Sequence, residues 1–184
     1  DYIQRDITSK LRYMHRFARS FWLGAGVNMR YGKGDSFDAN GENYLLDGGQ
    51  LVKSAYTTGI SLNAVYDTRN NAHSTTKGFY ISLLGEVLPK ALGNYNKTLF
   101  HIVAQADYFQ PLWQGGVMAV DLYGDLWSSA TPWFYWPSVG GASRMRGYYY
   151  GRYTDRKMLT AQLELRQTIY GPIGVCAWGG AGST

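Results

Sequence analysis

The chain has 184 residues, enough for one domain, a net charge of +5, and a polar mean hydropathy of −0.29 beside an unusual aromatic load. Its 16 tyrosines, 6 tryptophans and 23 glycines accompany hydrophobic residues that alternate with polar ones, so the Val/Ile/Leu runs of a buried parallel sheet are missing. No stretch approaches the roughly 18 to 20 apolar residues of a membrane helix. No basic-apolar-small export signal opens the chain, so any such signal is expected to have been removed. A single cysteine, Cys176, makes neither an internal disulfide nor a zinc or redox pair. Lysine and arginine are scattered, and the aromatic residues form no stacking platform, which argues against nucleic acid and for a basic exterior near anionic lipid headgroups.

From Ile7 the hydropathy period is two. Lys10, Arg12 and Arg16 share one parity in the first strand, with Leu11, Tyr13 and Phe17 on the other. Over Phe21 to Tyr31, Leu23, Ala25, Val27, Met29 and Tyr31 oppose Trp22, Gly24, Gly26, Asn28 and Arg30. Lys53 to Asp67 sets Tyr56, Ile60, Leu62, Ala64 and Tyr66 against Thr57, Gly59, Ser61 and Asn63. Gly78 to Leu88 sets Phe79, Ile81, Leu83 and Val87 against Tyr80, Ser82 and Glu86. The pattern recurs over Leu99 to Leu112, Gly116 to Trp127 and Lys157 to Ile169, and a Gly-rich strand runs from Ile173 towards Ala181. These are about eight strands of roughly ten to fourteen residues, long enough to cross a bilayer when tilted and longer than the soluble average of about five or six.

Short joints near Phe17–Ser20, Gln110–Gly115 and Tyr170–Pro172, with a medium one at Thr68–Lys77, alternate with long ones at Gly32–Val52, Pro89–Thr98 and Ser128–Arg156. Short turns on one side and long loops on the other make an all-β, antiparallel, up-and-down transmembrane β-barrel whose long loops, 128–156 among them, are extracellular. Tyr31, Tyr56, Tyr66, Tyr108, Trp113, Trp127 and Tyr170 stand near strand ends, where interfacial girdles form. A soluble β-sandwich or lipocalin-like barrel would also alternate, but with its apolar parity inside. The inward parity here includes Lys10, Arg12, Arg16, Trp22, Arg30, Glu86, Asp107, Tyr123, Trp127, Glu164 and Arg166. With a long loop besides, these side chains overfill an eight-stranded lumen, so the first and last strands are expected not to pair.

Two segments go beyond pattern. The stretch SVGGASRMRGYYYGRY resembles the loop-six signature of the BamA/TamA surface-antigen family, with Gly140 and Gly141 preceding the tetrad Met145, Arg146, Gly147 and Tyr148. VYDTRNNAHSTTKGFY is similar to that family's periplasmic turn, and LTAQLELRQTIYGPIG to its strand carrying an inward glutamate, here Glu164. The resemblance covers nearly the whole chain and implies the sixth to thirteenth strands of a sixteen-stranded outer-membrane barrel, residues 1–184 being one partial barrel domain. It implies insertion, assembly or translocation of unfolded outer-membrane or secreted proteins, with outer-membrane lipid and lipopolysaccharide as further partners. A passive pore or structural barrel is the alternative, and it needs an open lumen. Arg146 is expected to latch the loop on Glu164 as a charge-assisted pair. Where the family often has a second acid, AWGGAGST places Gly180, which leaves the latch on Glu164 alone.

Enzymatic chemistry is not indicated. Of His15, His73 and His101, only His101 shares parity with an acid on its strand, Asp107, and it reads as a lumen filler with no serine partner and no G-x-S-x-G elbow. Asp121 and Asp125 lie about 13 Å apart along a strand, too far to share an ion, so neither a metal nor a cofactor is expected. Sidedness is directly testable in a chain with Cys176 replaced by serine. Cysteines at Asp38 or Tyr150 should react with an impermeant maleimide on intact cells, and one at Asn71 should react only after lysis.

Overall fold

The computed structural model describes residues 3–35, 52–141 and 144–184. Asp38 and the rest of the expected loop over 36–51 lie outside these, as do Ala142 and Ser143. Eight long strands form one sheet: β1 (Ile3–Ala18), β2 (Phe21–Asp35), β3 (Ser54–Asp67), β4 (Gly78–Leu88), β5 (Leu99–Trp113), β6 (Gly116–Trp127), β9 (Lys157–Tyr170) and β10 (Ile173–Ser183). Two short strands, β7 (Ser138–Val139) and β8 (Tyr153–Thr154), pair as a hairpin within the loop after β6. The sheet order is β1-β2-β3-β4-β5-β6-β9-β10, a meander in which every strand pairs antiparallel with its neighbours. β1 and β10 are the two edges and do not pair with each other, as the crowded inward parity led us to expect.

Burial is inverted relative to a soluble domain. Leu11, Tyr13 and Leu62 are 78%, 73% and 70% exposed, while Asn28 and Ser61 are fully buried. Thr57, Asn63, Glu86, His101 and Thr160 are also buried. The apolar parity therefore faces outward on every central strand, which rules out the soluble barrel, since an exposed apolar face this large would aggregate in water. Tyr31 and Tyr56 are opposed at the long-loop end of the outer face, and Phe79 stacks on Tyr108 at 4.6 Å near the short-turn end. Trp127 departs from the expected girdle. It is inward and buried, because it shares the parity of Tyr123 and Asp125.

The medium turn explains its own sequence. Arg69 grips Asp67 with a two-point fork, Nε to Oδ1 at 2.9 Å and Nη2 to Oδ2 at 2.7 Å, and its guanidinium lies 4.3 Å from the Tyr80 ring centroid. Asn70 Oδ1 accepts from the amides of Thr76 and Lys77, and Asn71 Oδ1 from those of His73 and Ser74. Gly78 restarts the strand at φ 118°, where an added Cβ would stand 2.5 Å from the Thr68 carbonyl oxygen. Gly78→Val therefore meets both a left-handed backbone and a clash, and should cost about 1–3 kcal/mol. The expected outcome is a lower urea midpoint of the full barrel, followed by the heat-modifiable band shift of folded barrels in gels.

Candidate functional site

Toward the long-loop end, the inner wall carries a buried polar network centred on Glu86. Its carboxylate accepts from Arg30 at both oxygens, 2.7 Å each, from Asn28 Nδ2 at 2.8 Å, and faces His101 Nδ1 at 3.1 Å. The Glu86 side chain is fully buried, and three partners fill its acceptor sites with four contacts, which is what a carboxylate needs away from water. Cross-strand register brings the group together. Asn28 is opposite Gly59, Ser61 opposite Glu86, and Glu86 opposite His101. A side chain at Gly59 would collide with the Glu86 carboxylate, so the glycine makes room for the ion pair.

His101 Nε2 lies 2.9 Å from Asp125 Oδ1, and Tyr123 donates its hydroxyl to Asp125 Oδ2 at 3.2 Å. Each ring nitrogen of His101 thus faces a carboxylate, and only the doubly protonated ring can donate to both. The histidine's acidic neighbours are therefore Glu86 and Asp125 on flanking strands. The expected neighbour Asp107 instead accepts from Gln105 Nε2, 3.1 Å to each oxygen. Trp127 stacks on His101 with centroids 3.8 Å apart, and the Arg30 guanidinium lies 5.2 Å from the Trp127 ring centroid.

The loop after β6 covers this network. A helical turn over Trp133–Tyr135 inserts its rings between the strands' inner side chains. Tyr135 donates its hydroxyl to the carbonyls of Arg30 and Ala55, 3.2 Å each, and accepts from Thr57 Oγ1 at 3.1 Å. Burial raises the Tyr135 phenol above its ordinary pKa, which keeps it a neutral donor. Phe134 packs where a side chain at Gly32 would stand, and its carbonyl accepts from Gln4 Nε2 at 3.0 Å.

Farther along, the loop descends the wall made by β5, β6, β9 and β10. Arg144 donates to Gln105 Oε1 at 3.2 Å, the Met145 amide to Gln162 Oε1 at 3.0 Å, and Arg146 Nη2 lies 3.5 Å from Glu164 Oε2. Arg166 Nε holds the other Glu164 oxygen at 2.6 Å, and the Arg146 guanidinium lies 5.5 Å from the Trp178 ring centroid. Met145 is buried at φ 51°, packed with Val139 and Met158. Gly147 follows at φ 101°, with Tyr148 half exposed. Gly140 and Gly141, at φ 118° and 104°, turn the chain back so that the Gly141 amide reaches the Tyr148 carbonyl at 3.3 Å. Gly180 lies beneath Met145, where an added Cβ would stand 3.4 Å from the methionine sulfur.

The Omp85 superfamily domain matches residues 1–173. The chain belongs to the Omp85 superfamily. Its fold is also that of the crystal structure of BamA from Haemophilus ducreyi lacking POTRA domains 1–3, with a TM-score of 0.76 at 14% sequence identity. That match covers 99% of this chain and 42% of the BamA chain, so this Omp85 segment spans less than half the length of that protein. No curated protein sequence is significantly similar to it.

Sequence reasoning missed the Glu86 network and Arg144 in this Omp85 domain. Parity placed Arg30, Glu86 and Trp127 inside, but only the register puts them beside His101. Deleting Glu86 should strand the buried Arg30 guanidinium, so Glu86→Ala should cost about 3–5 kcal/mol. Glu164→Ala, whose arginine partners are 44% and 41% exposed, should cost about 1 kcal/mol or less. Urea midpoints of the two reconstituted variants provide the comparison, and equal losses would contradict this ranking.

Proposed function

We propose that this Omp85 chain is part of an outer-membrane barrel that inserts, assembles or translocates other proteins, with loop 128–156 folded into the lumen and latched by Arg146 on Glu164. The observation that carries this reading is the seating of the loop on the inner wall at two separate places, the Trp133–Tyr135 turn and the Arg144–Arg146 stretch. A passive pore needs an open lumen, whereas a loop with Met145 buried and Tyr135 half-buried against the wall obstructs it. Superfamily membership supports the same class of activity, with unfolded outer-membrane or secreted proteins as clients. The exposed apolar face between aromatic belts suits outer-membrane lipid and lipopolysaccharide as surroundings. On this reading residues 1–184 are one partial barrel domain, and the long loops open to the cell exterior.

The latch is a charge pair, so exchange of its charges is the direct test in the full-length parent protein. Arg146→Glu and Glu164→Arg should each weaken loop docking by about 1 kcal/mol, roughly fivefold. Insertion of a client barrel into liposomes should slow accordingly. The double exchange should recover part of the loss, and only part, because Arg166 also binds Glu164. A double variant no faster than either single one would remove the latch from the proposal.

A further inference from the structure

Arg144, two residues before the tetrad arginine, makes contacts that the Arg146 latch does not use. Its guanidinium lies 3.5 Å from the Tyr123 ring centroid, besides its hydrogen bond to Gln105. Gln105 and Tyr123 are directly opposite on β5 and β6, and the adjacent inward row sets Asp107 opposite Asp121. Two carboxylates facing each other across neighbouring strands repel. The Arg144 charge attracts both of them, though more weakly than burial penalises them. The Gln105 amide satisfies Asp107 at both oxygens, whereas Asp121 Oδ1 is buried without a hydrogen-bond partner among the described residues. Arg144 Nε is buried and, among the described residues, equally unpartnered. A buried acceptor and a buried donor of opposite charge, each left unsatisfied on one patch of wall, favour direct engagement.

We propose that Arg144 is a second anchor of the loop, docking its guanidinium on the Asp107–Asp121 carboxylate pair while Arg146 reaches Glu164. The inference rests on the reading of 128–156 as a lumen loop and adds a positioning residue outside the family-like tetrad. Met145 sits between the two arginines with its amide on Gln162, the residue opposite Asp121 on β9. The three consecutive residues contact three successive rows of the wall, Gln105–Tyr123, Gln162 and Glu164, and the Asp107–Asp121 pair lies in the middle row, next to the one that Arg144 stacks on. A loop held at one row can pivot about it. Anchors on both sides of Met145 fix its rotation. A cavity of about 140 Å³ bordered by Asp107, Asp121, Arg146 and Glu164 gives the two carboxylates room to shift.

The test is disulfide formation between cysteines at Val139 and Met158, a loop residue and a wall residue that pack together, in the full-length parent with Cys176 replaced by serine. Loss of one charged hydrogen bond should lower the crosslinking rate about tenfold in Arg144→Ala. Arg144→Lys should recover part of the rate, and Arg144→Asp should be rescued by Asp121→Arg. Arg144→Ala that crosslinks at the parent rate, with normal heat-modifiable folding, overturns the second anchor. Where Arg144→Ala fails to fold, Asp121→Asn carries the same test, and an unchanged rate in it overturns the proposal too. Arg146→Ala separates the two readings. If it crosslinks at the parent rate while Arg144→Ala does not, the Arg146 latch fails and the second anchor stands, and if neither variant slows, both fall.

Discussion

In hydrocarbon, a strand's amides and carbonyls have no water to turn to, so each must pair with a neighbouring strand, and this requirement shapes the whole molecule. It enforces the antiparallel ladder running without interruption from β1 to β10. It also explains why Pro111, which lacks an amide proton, sits at an irregularity near the short-turn end of β5 and not in mid-strand. The same requirement makes the outer edges of β1 and β10 incomplete surfaces, which in a bilayer need further strands.

With pairing fixed, alternation decides what faces lipid and what faces the lumen. The outward parity supplies Leu11, Leu62, Ile81 and Leu163, and the inward parity is left to solve a polar packing problem. Glu86 is the solution at the long-loop end. Its three partners come from β2 and β5, and Gly59 on β3 leaves the space in which they meet. Breaking such a network exposes a buried charge, which makes it a rigid base for whatever rests on it. What rests on it is the Trp127–Tyr135 pair of rings, and through Tyr135 the loop itself.

The loop therefore has two kinds of support. Near Tyr135 it is held by aromatic packing and backbone carbonyls, which are insensitive to salt. Near Arg144 and Arg146 it is held by charge contacts, several of them partly exposed and hence weaker and more easily exchanged. The loop is thus firmly based at one end and more weakly held at the other.

Strand positions, the lipid-facing parity, the short and long ends and the open edges were all legible in the sequence, because a period of two and the turn residues are local properties. Arg146 and Glu164 could be singled out by their resemblance to a family motif, without knowledge of which strands adjoin. The partners of His101 could not, since Glu86 and Asp125 lie 15 and 24 residues away along the chain and become neighbours only through register. Trp127 was ambiguous for the same reason, being both a strand-end aromatic and an inward residue, and its stacking on His101 decided between the two. Arg144 carries no mark in the sequence beyond its charge. Its role depends on Asp107 and Asp121 being opposed across two strands, and the pairing of strands is a tertiary fact that one-dimensional periodicity does not contain.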